Sequence, residues 1–475
     1  MSTRSNPSRA TGVAGRPAAA LAALAGAQFL VVLSTSVVNV ALPAIDAAVA
    51  LGTSGMAWVV NAYVLAFGAL LLLGGRAGDL LGRRRVLLAG AAVFGAGALA
   101  AGLAPSAGVL VAARAVQGVG AAALAPAAMS LAVALHPEGP ARGRALAVWG
   151  AVSAVGGAAG ILLGGVVTGA LGWRWVFLLT APIAAAVLVA AALVVPPDAG
   201  ADRGKADLPG AAAVTSGLVA LVLAVSAGRD WPDRVLPGAC ALVLLAGFAW
   251  WQRRGPHPMV PPRLFTTARV GPATAGMAVL GSVWVGLFFF LPLYQQQVLG
   301  YTPLVAGLTQ LPLAAANVAG SWLAPRASAR LGARRAAVAG LVVLACGLLW
   351  FGAARADGTF AVDLLGPSLV AGLGLGASFV LFTGAAVAGV PAADLGVASG
   401  LSNAARQVGG AVGLAVLTAV AAARTASLSG APTSEALTGG YRAAFLTAAA
   451  VIAALSLYVA RAFAGAPLPG RKNPS

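Results

Sequence analysis

Arg114 lies in Leu110–Ala122 (LVAARAVQGVGAA), inside a run of apolar residues long enough to cross a bilayer. A cation at that depth costs about 2.5–3.5 kcal/mol on insertion scales, so it normally faces a protein interior or a water-filled path. Gln117 stands one turn along on the same helix face. Snorkelling to the nearer interface is the plainer alternative. A second cation within an apolar run, Arg406, sits beside Gln407 and three residues after Asn403, and loosely mirrors the first pair. The acids do not match these cations. Asp46, Glu138, Asp198, Asp202, Asp207, Asp230, Asp233, Asp357, Asp363, Asp394 and Glu435 fall in loops or at helix ends, and Asp79 falls in a basic loop. No carboxylate is placed in a membrane core, where burial would raise its pKa and let it load and release a proton. The remaining interior polar groups are neutral: Ser34, Ser36 and Asn39, then Asn61 and Tyr63, then Trp284, Asn317 and Ser378. Each Asn or Gln also serves as ordinary helix–helix glue. Taken together they suit an amphiphilic or weakly acidic solute, and two cations without buried anions tilt that toward anionic or phenolic cargo.

Other chemistries find little support. Ser34 and Ser36 have no histidine on their helix to activate them, so no enzyme is expected. Cys240 and Cys346 fall in apolar runs without ligand spacing and read as small buried hydrophobes, while His136 and His257 are lone loop residues. No metal site and no cofactor are implied. The net charge of +18 invites a nucleic-acid partner, but the basic residues sit in short loops between apolar spans and not along a polar stripe.

The elements that must position these residues follow from composition. With 60% hydrophobic and 9% charged residues over 475 positions, the chain reads as an all-α, polytopic membrane protein. Fourteen spans of about 20 apolar residues can be laid down. They are Ala18–Ile45, Met56–Gly75, Val86–Ala104, Gly108–Leu135, Ala145–Ala170, Trp175–Val195, Pro209–Ala227, Val235–Trp251, Val270–Tyr294, Pro303–Ala324, Ala336–Ala354, Leu364–Gly389, Leu395–Ala423 and Arg442–Ala464. The first is too long for a signal-peptide core of about 7–15 residues, so it reads as an uncleaved helix. An even count puts both termini on one side. That side collects 22 of the basic residues against 6 on the other, with Arg114 and Arg406 left inside, so the termini are expected to be cytoplasmic.

Three echoes recur at offsets near 250 residues. Leu42-Pro43 returns as Leu291-Pro292, the turn at Gly82–Arg85 as Gly332–Arg335, and Val155–Gly157 as Val408–Gly410. Such self-similarity marks a duplication. The expected organisation is a tail (1–17), a six-helix bundle (18–196), an inserted helix pair with its flanking loop (197–254), a second six-helix bundle with its preceding loop (255–465), and a tail (466–475). Two parallel-repeat halves fit a transporter with its site near the midplane.

Gly75–Arg85 (GRAGDLLGRRR) joins the second and third spans, with glycines for a tight turn and Asp79 as one acid among many cations. Asp79 could hold the halves together through an arginine or a helix N-terminus. This stretch resembles the signature loop of the major facilitator superfamily in Gly75, Asp79, Gly82, Arg83 and Arg84, while Ala77 and Leu80 depart from it. Leu110–Ala122 resembles that superfamily's fourth-helix motif in Arg114, Gln117, Gly118 and Gly120, and there the resemblance associates the arginine with proton transfer. Val37–Ile45, Gly172–Pro182, Phe288–Pro312 and Ala398–Leu417 resemble the fourteen-helix branch of drug:proton antiporters. Ala154–Gly165 is similar to the antiporter motif of the fifth helix in Gly156, Gly160, Gly164 and Gly165, with Ile161 in place of its proline. Ser34 and Ser36 stand where that branch typically carries an aspartate and a threonine.

The resemblance implies a secondary transporter of the bacterial inner membrane that exports a drug, antibiotic or secondary metabolite by alternating access, with protons as the counter-ion. It implies a solute pathway over Ser34, Ser36, Asn39, Asn61, Arg114, Gln117, Trp284, Asn317, Asn403 and Arg406, and a gating loop at Gly75, Asp79, Gly82, Arg83 and Arg84. Ser34 keeps an uncoupled facilitator open as the alternative, and a non-transporting sensor or scaffold of the same fold is a third reading. Substrate identity and oligomeric state are left open.

Overall fold

The computed structural model describes residues 11–136, 140–196, 207–226, 231–255, 258, 263–264, 270–391, 394–428 and 430–462. The tails at 1–10 and 466–475, His257 and the loop acids Glu138, Asp198, Asp202 and Asp230 lie outside these residues. The described residues are helical, without a strand. A bilayer core offers no water to the backbone, so a spanning chain satisfies its own amides in helices.

Among the described residues, fourteen helices are long and apolar enough to cross a membrane. They are α1 (Ala18–Val49), α2 (Gly52–Leu81), α3 (Arg83–Gly102), α4 (Ala107–Ala134), α5 (Arg144–Leu171), α6 (Arg174–Val194), α7 (Leu208–Ser226), α8 (Asp233–Arg254), α9 (Val270–Val298), α10 (Pro303–Leu331), α11 (Ala333–Phe351), α12 (Phe360–Val387), α13 (Leu395–Ser427) and α14 (Thr433–Arg461). The helix containing α1 already begins at Thr11, so part of the expected 1–17 tail is helical. The last helix starts at Thr433, not at Arg442. Arg442 therefore lies two turns inside it and donates from Nε to the carbonyl of Gly352, 2.9 Å away, just past the end of α11. Carbonyls at a helix C-terminus lack an intrahelical partner, so a guanidinium held close by is accommodated there.

Two compact units are distinguished: Met1–Thr215 with Thr302–Leu308, and Ser216–Tyr301 with Thr309–Ser475. The division cuts α7, within the stretch 197–254 that the sequence sets apart. Inside the first unit α1 packs on α5, α4 packs on α2 and α3, and α3 packs on α6. Inside the second, α9 packs on α13, α12 packs on α10 and α11, and α11 packs on α14. Every partner is shifted by eight helices, so the duplication read from three short echoes holds throughout the packing.

Two sequence expectations are corrected. The basic stretch Gly75–Arg85 is not a loop: Gly75 and Asp79 belong to the last turns of α2, Arg83 and Arg84 open α3, and Gly82 alone breaks the helix at φ +96°. Its repeat partner Gly332 does the same at φ +80°. At positive φ a side chain is strained, so glycine makes a one-residue reversal possible. The amide of Val86 then bonds the Gly82 carbonyl at 3.1 Å, and that of Ala336 bonds Gly332 at 3.0 Å. Second, Cys240 and Cys346 are exposed, not buried. Outward faces of membrane helices are as apolar as the core, so an apolar run does not reveal which face is covered.

Candidate functional site

Small residues bring α4 into the centre of the first unit. A Cβ on Gly118 would stand 2.5 Å from the Tyr63 carbonyl of α2, and one on Gly97 of α3 would stand 2.8 Å from both Cγ and the backbone nitrogen of Gln117. Close approach of three backbones encloses Arg114, which is 1% exposed. Its Nε donates to the Val59 carbonyl at 3.1 Å. Its Nη1 donates to Gln117 Oε1 at 2.8 Å and to Ser34 Oγ of α1 at 3.3 Å. The guanidinium carbon lies 4.4 Å from the Tyr63 ring centroid and 5.9 Å from that of Phe177 on α6. Tyr63 is held in turn by its hydroxyl, which donates to the Val31 carbonyl of α1 at 3.3 Å. None of the ion pairs among the described residues involves Arg114. A buried charge is tolerated when it is hydrogen-bonded and paired; here a backbone carbonyl, a hydroxyl, a side-chain amide and two ring faces stand in for an anion.

The structure thus joins Arg114, Gln117 and Ser34 and adds Tyr63, Phe177 and the Val59 carbonyl. Asn39 and Asn61 are buried in the same unit, and each carries an amide oxygen without a hydrogen-bond partner. Gln117 keeps its Nε2 unpartnered as well. Ser36 is not part of the cluster: its hydroxyl bonds back to the Val32 carbonyl at 3.2 Å. Its Cβ instead meets α5, where a Cβ on Gly160 would come within 2.7 Å. Gly164 lies similarly against the Val37 carbonyl (2.6 Å), Gly156 against Phe29 (3.3 Å), and Gly165 against Pro303 (2.5 Å). The four glycines of the fifth-helix motif are a packing face, and three of them seat α5 on α1.

Asp79 pairs with Arg83 one turn on, across the Gly82 reversal, at 3.3 Å. Arg84 donates to the Ala192 carbonyl near the end of α6 at 2.6 Å. Both contacts lie within the first unit and tie the turn down locally.

In the second unit Arg406 is half-buried on α13. It donates to Asn403 Oδ1 at 2.9 Å, and its guanidinium carbon is 5.9 Å from the Phe379 ring of α12. Phe379 lies 5.9 Å from Trp284 of α9, which in turn lies 5.7 Å from Phe288. A Cβ on Gly281 would collide with the Arg406 carbonyl, which sets how closely α9 and α13 approach. Asn317 belongs to a different contact: Gly376 of α12 packs on its carbonyl, and its amide nitrogen has no partner.

One polar cluster was not anticipated. Arg355, between α11 and α12, forms a two-pronged pair with the buried Asp363 at 3.2 and 2.9 Å. Asp363 also accepts from the Thr359 amide at 2.8 Å, and Tyr294 donates its hydroxyl to the Arg355 carbonyl at 2.5 Å. The aspartate hydrogen bond holds the Arg355 guanidinium above its usual range. The spacing Arg355…Asp363 is the one sequence signal that would have found it. Among the described residues no cluster of His, Cys, Asp and Glu could hold a metal ion.

Comparison with known proteins extends these observations. The chain is 40% identical over 439 residues to the cephamycin export protein of Amycolatopsis lactamdurans, covering 91% of this chain and 89% of that one. It is 38% identical over 416 residues to the puromycin resistance protein of Streptomyces alboniger, covering 86% and 82%. A solved bacterial homologue of the human lysosomal transporter Spinster has the same fold, with a TM-score of 0.67 at 16% identity over 94% of this chain and 98% of that one. Residues 24–414, from α1 into α13, match one family along their whole length, and by that match the chain belongs to the Major Facilitator Superfamily.

Proposed function

We propose that this protein exports a small organic compound of the antibiotic or drug class across the bacterial inner membrane by alternating access, in exchange for protons and with both termini in the cytoplasm. The observation that carries the reading is similarity along nine-tenths of the chain to a cephamycin exporter. The paired six-helix repeats, each with the same internal packing, are the kind of duplication on which secondary transporters are built. Arg406, half-buried beside an aromatic wall, is the cation that meets an anionic or phenolic solute. Arg114 is sealed and hydrogen-bonded through Nε and Nη1, and holds α1, α2 and α4 together.

Purified protein in proteoliposomes, assayed with antibiotics that carry a carboxylate or phenol group, tests both parts. Export accompanied by a matching proton flux is the expected result. Absence of transport across the panel overturns the export reading. Transport without proton movement favours a facilitator, a second reading that draws on Ser34 at the usual aspartate position and on the fact that none of the ion pairs among the described residues involves Arg114.

A further inference from the structure

The two repeat turns differ in what surrounds them. In the first, Asp79 pairs with Arg83. In the second, Ala329 occupies the position of Asp79, and Arg326, Arg330, Arg334 and Arg335 are all exposed. None of the ion pairs among the described residues involves these four. Four residues leading into this turn form a stripe at every fourth position of α10: Val318 and Trp322 are exposed, Trp322 to 63%, and Arg326 and Arg330 follow. The Arg326 guanidinium stacks 3.7 Å from the Trp322 ring centroid and donates to the Trp322 carbonyl at 3.0 Å. At the repeat-related positions stand Gly68, Leu72, Arg76 and Leu80, which carry one cation and no aromatic ring. The order along the stripe is therefore aliphatic, aromatic, cationic, cationic, which follows a phospholipid from acyl chain through glycerol to phosphate. Tryptophan settles at that middle level, and arginine is the side chain best shaped for phosphate.

We propose that the end of α10 and the turn into α11 form a headgroup site for an anionic phospholipid. Arg326 and Arg330 bind the phosphate, Arg334 and Arg335 add to the positive potential at that depth, the Trp322 ring lies against the glycerol, and an acyl chain runs along Val318. The site does not depend on which way the protein faces in the membrane, nor on whether it transports.

The test uses the full-length protein in mild detergent, with dioleoyl phosphatidylglycerol or dioleoyl phosphatidylcholine added and bound lipid counted by native mass spectrometry. The wild type retains phosphatidylglycerol in preference to phosphatidylcholine. Each arginine near an anionic lipid is worth about fivefold in binding, so Arg326→Gln with Arg330→Gln lowers phosphatidylglycerol affinity about 25-fold. Trp322→Ala lowers it by a few fold. Arg326→Lys with Arg330→Lys, which keeps both charges, retains most of it and guards against a folding defect. Three results would overturn the proposal: equal retention of both lipids by the wild type, an equal loss from Arg424→Gln at an exposed site elsewhere, or displacement of the lipid by inorganic phosphate.

Discussion

Arg114 and Arg406 are both arginines inside apolar helices, yet their surroundings are opposite. Arg114 reaches across three helices of the first unit, with partners on α1, α2 and α4 and a ring on either flank. Arg406 bonds to Asn403 on its own helix and is half-buried beside Phe379. A cation that links several helices stabilises the bundle. The contrast separates Arg114 as a structural cation from Arg406, the one proposed above to meet the solute.

The largest expected effect comes from removing the linking arginine. Arg114→Ala deprives Ser34, Gln117 and the Val59 carbonyl of their donor and leaves a cavity, which costs about 2–4 kcal/mol. Thermal unfolding in detergent should show a fall of several degrees, together with loss of transport. Arg114→Lys cannot restore the fork and should recover only part of it. If Arg114→Ala unfolds at the wild-type temperature and loses only transport, the distinction between the two arginines collapses.

Next come the glycines that permit the enclosure. Gly97→Ala meets the backbone nitrogen of Gln117, which cannot yield as a flexible side chain would. Overpacking of this kind destabilises by about 1–3 kcal/mol. Gly384→Ala, with open space around the new methyl, is the matched substitution and should leave the unfolding temperature unchanged. Equal effects at the two positions would mean that helix propensity, and not enclosure, sets the outcome.

A smaller and different effect is expected at the other cation. Arg406→Ala should leave the unfolding temperature near the wild-type value and raise KM about tenfold for anionic substrates, with little change for neutral ones, the signature of a lost binding contact. Transport kinetics in everted vesicles across a charged and a neutral antibiotic measure the split. An equal rise for both would remove Arg406 from charge recognition.

Much of this was legible in the residues themselves. Fourteen spans, the duplication and the Arg114–Gln117 contact follow from apolar run length, a fixed offset and helical spacing, all of which are local. What was missed is non-local or belongs to the membrane. Phe177 reaches Arg114 from a helix some sixty residues away, and the stretch Gly172–Pro182 around it does not say which distant side chain its ring faces. The turn at Gly82 read as a loop because it is rich in charge, although a single glycine suffices to reverse the chain. Cys240 and Cys346 were misplaced because lipid and protein core reward the same side chains.

Tyr63→Phe gives the finest test of how Arg114 is held. The substitution keeps the ring 4.4 Å beneath the guanidinium and removes only the hydroxyl that donates to the Val31 carbonyl. That carbonyl belongs to α1 and keeps its place in the helical ladder, so the loss should be that of one long hydrogen bond, about 0.5–1 kcal/mol. Tyr63→Leu removes the ring face too and should cost about 1–2 kcal/mol more, since a desolvated cation–π contact is worth that much. Unfolding temperatures of the two variants therefore separate the tether from the ring. If Tyr63→Phe alone reproduces the whole loss, the hydroxyl anchors α2 to α1 and the ring contributes nothing to the buried charge. If the two differ by the expected step, Arg114 is stabilised by an aromatic face where a carboxylate would otherwise be required, and its charge is compatible with the sealed interior without an acid paired to it among the described residues.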